Sequence, residues 1–263
     1  MRPLRRSGAI LRCECGRRYP IVDGIPVVLR DLAGWAASEG PSALRRADVD
    51  DEVAELLSVD SPSRRNRRLL EVYARAPSSP LSEWVSAAVR ATSGPVLELG
   101  SGLGNADSVR LDLNFVLLRA GRPSASVVDT PDGAALLAGS ALVADAADPP
   151  FLAGSFATVV LANVIDSCAD PALVLAQADA LVAPGGELLV TCAFAFDDTI
   201  TAPDQQFTPA ALTTALKGEA AFGSWWPTCR LTEPPLDLEW RLRLGPRTEH
   251  AHSVMVLRAR RSG

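Results

Sequence analysis

PVLELGSGLG, residues Pro95–Gly104, is the stretch whose reading decides the fold. An apolar run with Glu98 set into it leads to Gly100, Gly102 and Gly104, at every second position. A buried parallel strand that ends in a glycine-rich turn leaves backbone uncovered at the carboxyl edge of the sheet, where α/β folds bind ligands. Glycine there takes positive φ and lets a flat ligand lie against bare backbone. Glu98, two residues before the first glycine, adds a fixed negative charge. That charge suits a ligand carrying an ammonium and a sulfonium better than one carrying phosphates.

A dinucleotide fold wants G-x-G-x-x-G, with an acid about 20 positions later on the ribose. Here the third glycine comes one residue early and an acid precedes the turn, which disfavours an NAD-dependent oxidoreductase. Downstream, ALVADAADPPFLAGSFATVVLANVIDSCADP (Ala141–Pro171) contains two further apolar runs, the first ending in Asp145-Ala146 and the second covering Phe156–Ala162 before Asn163. A helical stretch, Pro171–Val182, the turn Pro184-Gly185-Gly186 and the strand Glu187–Ala193 follow. These four ordered motifs resemble the class I S-adenosylmethionine-dependent methyltransferases, of the type 11-like kind, over roughly Val96–Ala193.

The resemblance implies an α/β fold: a Rossmann-like seven-stranded sheet with helices on both faces and a C-terminal antiparallel hairpin. It implies S-adenosyl-L-methionine as cofactor. Glu98, Gly100, Ser101, Gly102 and Gly104 would hold its methionine and ribose portion, Asp145 with the Ala146 amide its adenine, and Asn163 would stand at the junction of cofactor and acceptor. The family also needs an acid for both ribose hydroxyls, a role that suits a carboxylate because it accepts two hydrogen bonds side by side. Asp112, in SVRLDLNFVLLRAG, comes only eight residues after Gly104; Asp129, in SASVVDTPDGAALL, comes 25 after it and 16 before Asp145. The alternation Val109, Leu111, Leu113, Phe115 favours a strand through Asp112, and Asp129 remains the competitor. Either choice shortens one crossover helix. No catalytic triad is visible and the general base is unassigned.

The N-terminal LRCECGRRYPIVDGIPVVL, Leu11–Leu29, has two short strand patterns, Tyr19–Val22 and Ile25–Leu29, across an Asp-Gly turn, which is a hairpin signal. It resembles part of the zinc-ribbon-like activator domain found beside tRNA and ribosomal methyltransferases. Only Cys13 and Cys15 are present where tetrahedral zinc wants four ligands, so no metal is expected. The organisation expected is thus an activator-like segment over 1–35, a helical linker or cap over 36–94 and a methyltransferase domain over 95–263.

Within the cap, Ser42–Leu57, Ser63–Ala76 and Leu81–Ala91 have helical spacing, the last separated from its neighbour by Pro77 and Pro80. Tyr73 and Trp84 are candidates to face the ligand, with core packing the simpler role. Near the end, Thr208–Lys217 is expected as a helix capped by Thr208. The alternation Leu236, Leu238, Trp240, Leu242, Leu244 and the run Thr248–Ala259 then form a hairpin. Trp225, Trp226 and Trp240 are expected chiefly in the core. His250 and His252 share one strand face without a visible third metal ligand.

At 263 residues, 48 % hydrophobic and 22 % charged, the chain can bury a sizeable core and has no apolar run long enough for a bilayer. Five scattered cysteines give no disulfide framework, and a cytoplasmic setting without membrane contact is expected. Net charge is −5, yet residues 1–30 hold seven arginines against Glu14 and Asp23. That basic arm leaves the methyl acceptor open between a small molecule and an RNA or protein partner. The other reading is a non-catalytic adaptor built on a degraded methyltransferase fold.

Overall fold

In chain order the strands are β1 (Leu4–Ser7), β2 (Ile10–Cys13), β3 (Arg18–Val22), β4 (Ile25–Pro26), β5 (Val96–Leu99), β6 (Val109–Asp112), β7 (Val128–Thr130), β8 (Gly133–Ala135), β9 (Ala141–Val143), β10 (Phe156–Ala162), β11 (Val182–Cys192), β12 (Cys229–Leu231), β13 (Leu236–Gly245) and β14 (Thr248–Arg261). The helices are α1 (Leu32–Ser38), α2 (Pro80–Ala91), α3 (Phe115–Ala120), α4 (Pro171–Leu181) and α5 (Pro209–Lys217). This computed structural model describes residues 4–38, 78–121, 128–130, 133–135, 138–223, 225–245 and 247–263. The expected helices Ser42–Leu57 and Ser63–Ala76, and with them Tyr73, lie outside the described residues. The chain divides into two units, residues 1–74 with 101–145 and residues 75–100 with 146–263.

In the first unit, β1 to β4 form an antiparallel sheet in sequential order. Gly8 takes φ +61 in the two-residue turn between β1 and β2. Asp23 and Gly24 take φ 53 and 76 between β3 and β4, the paired positive values of a type I′ hairpin turn. The Asp-Gly hairpin was legible in the sequence; the β1–β2 hairpin before it was not. Ile10, Val22, Ile25, Val27 and Trp35 share one buried core with Phe115, Leu118, Ala141 and Val143. The chain after β4 also bonds to β9, with the Val28 amide donating to Val143 O at 2.7 Å. The N-terminal hairpins therefore bury their apolar side against α3 and β9. Strand β6 pairs in parallel with β9.

The second unit holds a sheet in the order β12-β14-β11-β10-β5, with β13 also paired to β14. Strands β5, β10 and β11 run parallel, and β14 lies antiparallel to β11. All four residues of β5 are buried, as expected for a parallel strand covered on both faces. Leu81, Val85 and Val89 of α2 share a core with Val160, Leu189 and Val256. Side chains alternate along a strand, so the wholly buried Val159, Leu161, Leu188 and Val190 point to the opposite face. Together with α4, which packs on β10 and β11, this is the expected α/β architecture with helices on both faces and a C-terminal hairpin.

Local chemistry explains the helix ends. Pro80 does not break α2; it occupies the opening turn behind a Ser79–Ser82 capping box. Thr208 caps α5 by accepting from the Ala211 amide at 3.1 Å, with Pro209 next. A longer-range tie joins α4 to β12: buried Asp179 accepts from the Thr228 and Cys229 amides at 2.7 and 2.8 Å. Strand β11 starts at Val182, earlier than Glu187, and runs through the Pro-Gly-Gly turn with a register shift opposite Phe156 and Thr158. Trp84 and Trp240 pack on the α2 core and Trp225 is buried, whereas Trp226 is 64 % exposed. No described helix is long and apolar enough to cross a membrane.

Candidate functional site

Residues Ser101–Asp145 supply one group of the expected site residues, held in the first unit. Gly102 and Gly104 take φ 56 and 58, conformations that L side chains rarely adopt. The turn is anchored by the Ser101 amide, which donates to Leu111 O at 3.0 Å, and by Asp112 at the end of β6. One Asp112 oxygen accepts from the Gly102 amide at 2.7 Å and the other from the Asn114 amide at 2.8 Å. Burial pushes the Asp112 carboxyl above its ordinary pKa, while these amides and that of Leu113 pull the other way. Asp112 thus accepts two bonds, one on each oxygen, and both donors are backbone amides. Each oxygen keeps a second lone pair.

Between Gly104 and β6 the chain runs as turns, so the expected crossover helix is replaced altogether. Space beside the turn is filled by Arg110, wholly buried on β6. Its guanidinium donates to Leu103 O at 2.9 Å and to Gly139 O at 3.2 Å. Its methylenes lie where a Cβ on Gly104 would stand, and its head lies where one on Gly121 would stand. Gly104 therefore admits the arginine stem, a role that spacing alone did not reveal. The Ser101 hydroxyl is buried and has no hydrogen-bond partner. Asp145 is exposed two residues beyond β9, whose Val143 pairs with Asp112. Asp129 lies on β7, opposite Ala134 in a two-stranded ribbon with β8.

The second unit carries Glu98, Gly100, Ala146 and Asn163. Glu98 is buried in β5 opposite Val160 of β10. Gly100 takes φ 64, and a Cβ there would fall 2.6 Å from Val164 Cγ2. Ala146, partly buried, begins the turn towards β10. Asn163 follows β10 at φ 54, and its side-chain oxygen accepts from the Thr191 hydroxyl at 3.2 Å. Its amide donates to Thr191 O at 3.1 Å. Phe194, just past β11, takes φ 55. Asn163 and Phe194 are two of three such non-glycine residues among those described, and strain of this kind concentrates where ligands bind.

Around them sit Asp166, buried and accepting from the Ala195 amide at 3.3 Å, and the buried Cys192. Burial, then the nearby Asp166 charge, pushes the Cys192 thiol pKa up, so it is a poor nucleophile. His250 and His252 pair with Leu242 and Trp240 on the hairpin. Among the described residues no group of three or more His, Cys, Asp or Glu could hold a metal ion. The second unit's strand ends therefore offer a carboxylate, an amide side chain and strained backbone, a set suited to binding and orientation.

Residues 94–190 match the family model of a methyltransferase domain. No curated protein matches the sequence. Among solved structures, a putative methyltransferase from Bacillus halodurans is 14 % identical, with 70 % of this chain and 99 % of that one covered and a TM-score of 0.48. A SAM-dependent methyltransferase from Methanosarcina mazei is 15 % identical, covering 68 % and 97 %, with a TM-score of 0.45. The Burkholderia thailandensis 1,6-didemethyltoxoflavin-N1-methyltransferase, solved with its substrate and S-adenosylhomocysteine, is 16 % identical, covering 70 % and 77 %, with a TM-score of 0.42.

Proposed function

We propose that this chain is an S-adenosyl-L-methionine-dependent methyltransferase. The observation that carries the reading is the methyltransferase-domain match over residues 94–190, which contains the glycine turn and Asp112. The residues fit the cofactor in one testable respect. A buried hydroxyl without a partner, Ser101 Oγ, stands beside glycines at positive φ, and buried polar atoms call for a partner.

Glu98 and the Gly100–Gly104 backbone would hold the methionine and ribose portion, with Asp112 toward the ribose hydroxyls through its remaining lone pairs. Asp145 and the Ala146 amide would hold the adenine, and Asn163 would stand beside the acceptor. The bound cofactor supplies a methyl group already activated as a sulfonium. The protein's task is then to fix an in-line approach and exclude water.

Calorimetric titration of the full chain with S-adenosylhomocysteine tests this directly. Binding in the micromolar range is the expected result. No heat at millimolar ligand would overturn the reading and leave a non-catalytic binding protein. Asp112→Ala is expected to weaken binding far more than Asp129→Ala, and equal affinities for both would defeat the assignment of the ribose acid.

A further inference from the structure

Strand β13 carries a charge order that reverses about its own middle. Along Asp237–Arg243 the sequence reads Asp-Leu-Glu-Trp-Arg-Leu-Arg, with acids at Asp237 and Glu239 and bases at Arg241 and Arg243. Trp240 is the midpoint, with Leu238 and Leu242 two residues away on either side. Alternate residues of a strand share a face, so the four charges lie on one face and Leu238, Trp240 and Leu242 on the other. On that second face Leu238 and Trp240 pack against the α2 core, which fixes the orientation of the strand.

Among the described residues β13 pairs with β14 alone, so its outer side is an open edge. None of Leu236–Arg243 is buried, and Leu236 is 38 % exposed. Unpaired N–H and C=O groups on an edge recruit other strands, and proteins usually keep such edges short or break them with proline or a bulge. At 10 residues β13 is long, it contains no proline, and its register shift comes only at the far end, between Arg243 and Gly245. The charges are its remaining guard, and they discriminate between partners.

A parallel copy in register would set every charge against its like. An antiparallel copy centred on Trp240 instead sets Asp237 against Arg243 of the second copy and Glu239 against its Arg241. On the other face Leu238 meets Leu242 of the second copy. A two-residue slip puts Arg241 against Arg241, or Glu239 against Glu239, and loses the match. Within the hairpin Arg241 already meets Glu239 at 2.6 Å and Glu249 at 3.5 Å, and Arg243 meets Glu249 at 3.5 Å. Such exposed pairs contribute little singly and leave the outward backbone untouched. The backbone edge supplies the attraction, and the charge order selects partner and register. The other open edge, Thr248–Val254 of β14 before its pairing with β11 begins at Met255, carries the single acid Glu249, no arginine and no such order.

We propose that β13 is a self-pairing edge, through which two copies of this chain join antiparallel as an isologous dimer with Trp240 on the two-fold axis. The contact uses neither the glycine turn nor Asp112, so this proposal and the cofactor reading fail separately.

Sedimentation velocity of the full chain over about 1 to 200 µM is the test. One strand pair lies at the small end of specific interfaces, so a monomer–dimer equilibrium within that range is the expected result. Arg241→Glu/Arg243→Glu and Asp237→Arg/Glu239→Arg each set like charges at all four charged positions of the join. Each is expected to weaken self-association about 10-fold or more. Mixed one to one, the acidic and basic variants complement each other throughout, and the dimer is expected to return. Thermal melts of both variants matching wild type show that lost association is not lost folding. Hydrogen exchange of the unaltered chain needs no variant: protection of β13 amides should rise with protein concentration, and that of β5 should not. A monomer at every concentration, association retained in full by both folded variants, a mixture that stays monomeric, or β13 exchange indifferent to concentration overturns the proposal. Growth beyond two copies also overturns it, in favour of unselective edge aggregation.

Discussion

The carboxylate of Asp112 accepts the Gly102 amide at 2.7 Å, so the end of β6 clamps the glycine turn that follows β5. The other oxygen takes the Asn114 amide at 2.8 Å, at the N-cap of α3. Asp112→Asn keeps the shape but turns one acceptor into a donor facing an amide. The expected cost is about 1–3 kcal/mol, that of a desolvated donor left unpaired. Burial raises the folded pKa of Asp112 above its ordinary value of 3.8. A raised acid contributes stability that is fully present below its unfolded pKa and is lost as pH rises through the folded one. Asparagine has no such titration, so thermal melts should show the difference moving in favour of wild type as pH falls from 7 toward 4. A difference that shrinks on acidification would mean that the Gly102 and Asn114 amides outweigh burial and hold the carboxyl below its ordinary pKa.

Gly100 and Val164 are in contact range by construction of the turn, since a Cβ on Gly100 would meet both Val164 methyls. Gly100→Ala is expected to cost about 2 kcal/mol, from positive φ and the overlap together. In urea unfolding, Gly100→Ala/Val164→Ala should recover part of that loss relative to additive singles. Strict additivity would mean that φ alone decides the position.

The cysteines should separate by reactivity. Cys15 is exposed at the β2–β3 turn, and hydrogen bonding from Cys13 and then the Arg17 backbone lowers its pKa. Burial raises the Cys192 and Cys229 thiols, with nearby Asp166 and Asp179 adding to the shift. Timed iodoacetamide labelling at pH 7.5 read by mass spectrometry should modify Cys15 first and leave Cys192 and Cys229 untouched until denaturant is added. Early labelling of Cys192 would show an open path to the ends of β10 and β11.

Asp179 is 3 % exposed and holds two backbone amides of the segment entering β12. Asp179→Ala leaves the buried Cys229 amide without an acceptor and frees the part-buried Thr228 amide, a loss of about 1–3 kcal/mol dominated by the one buried donor. Hydrogen exchange at Thr228 and Cys229 should accelerate well beyond that of β10. Unchanged protection there would mean that solvent or another group replaces the carboxylate.

Strand β10 lies at Phe156–Ala162, as its largely apolar run predicts, and α5 starts behind Thr208 and Pro209 as their cap chemistry predicts. Caps, Asp-Gly turns and apolar runs act over a few residues, so a sequence carries them openly. The β1–β2 hairpin escaped notice because its strands are rich in arginine, although Gly8 before a residue of any kind marks such a turn. The true start of β11 escaped because pairing to β10 carries the strand through a turn that composition reads as a break.

What the amino-acid order determined unaided was therefore local and periodic: the parallel strands, the glycine turn at positive φ, the helix ends and the closing hairpin. Only tertiary structure decided that buried Arg110 fills the space beside that turn, that Asp112 spends its first hydrogen bonds on Gly102 and Asn114, and that Arg5, Arg12 and Arg18 stand in one rung. Each of these depends on which distant segments pair and in what register. Shifting a strand by a single residue would send those side chains to the other face without altering any local preference.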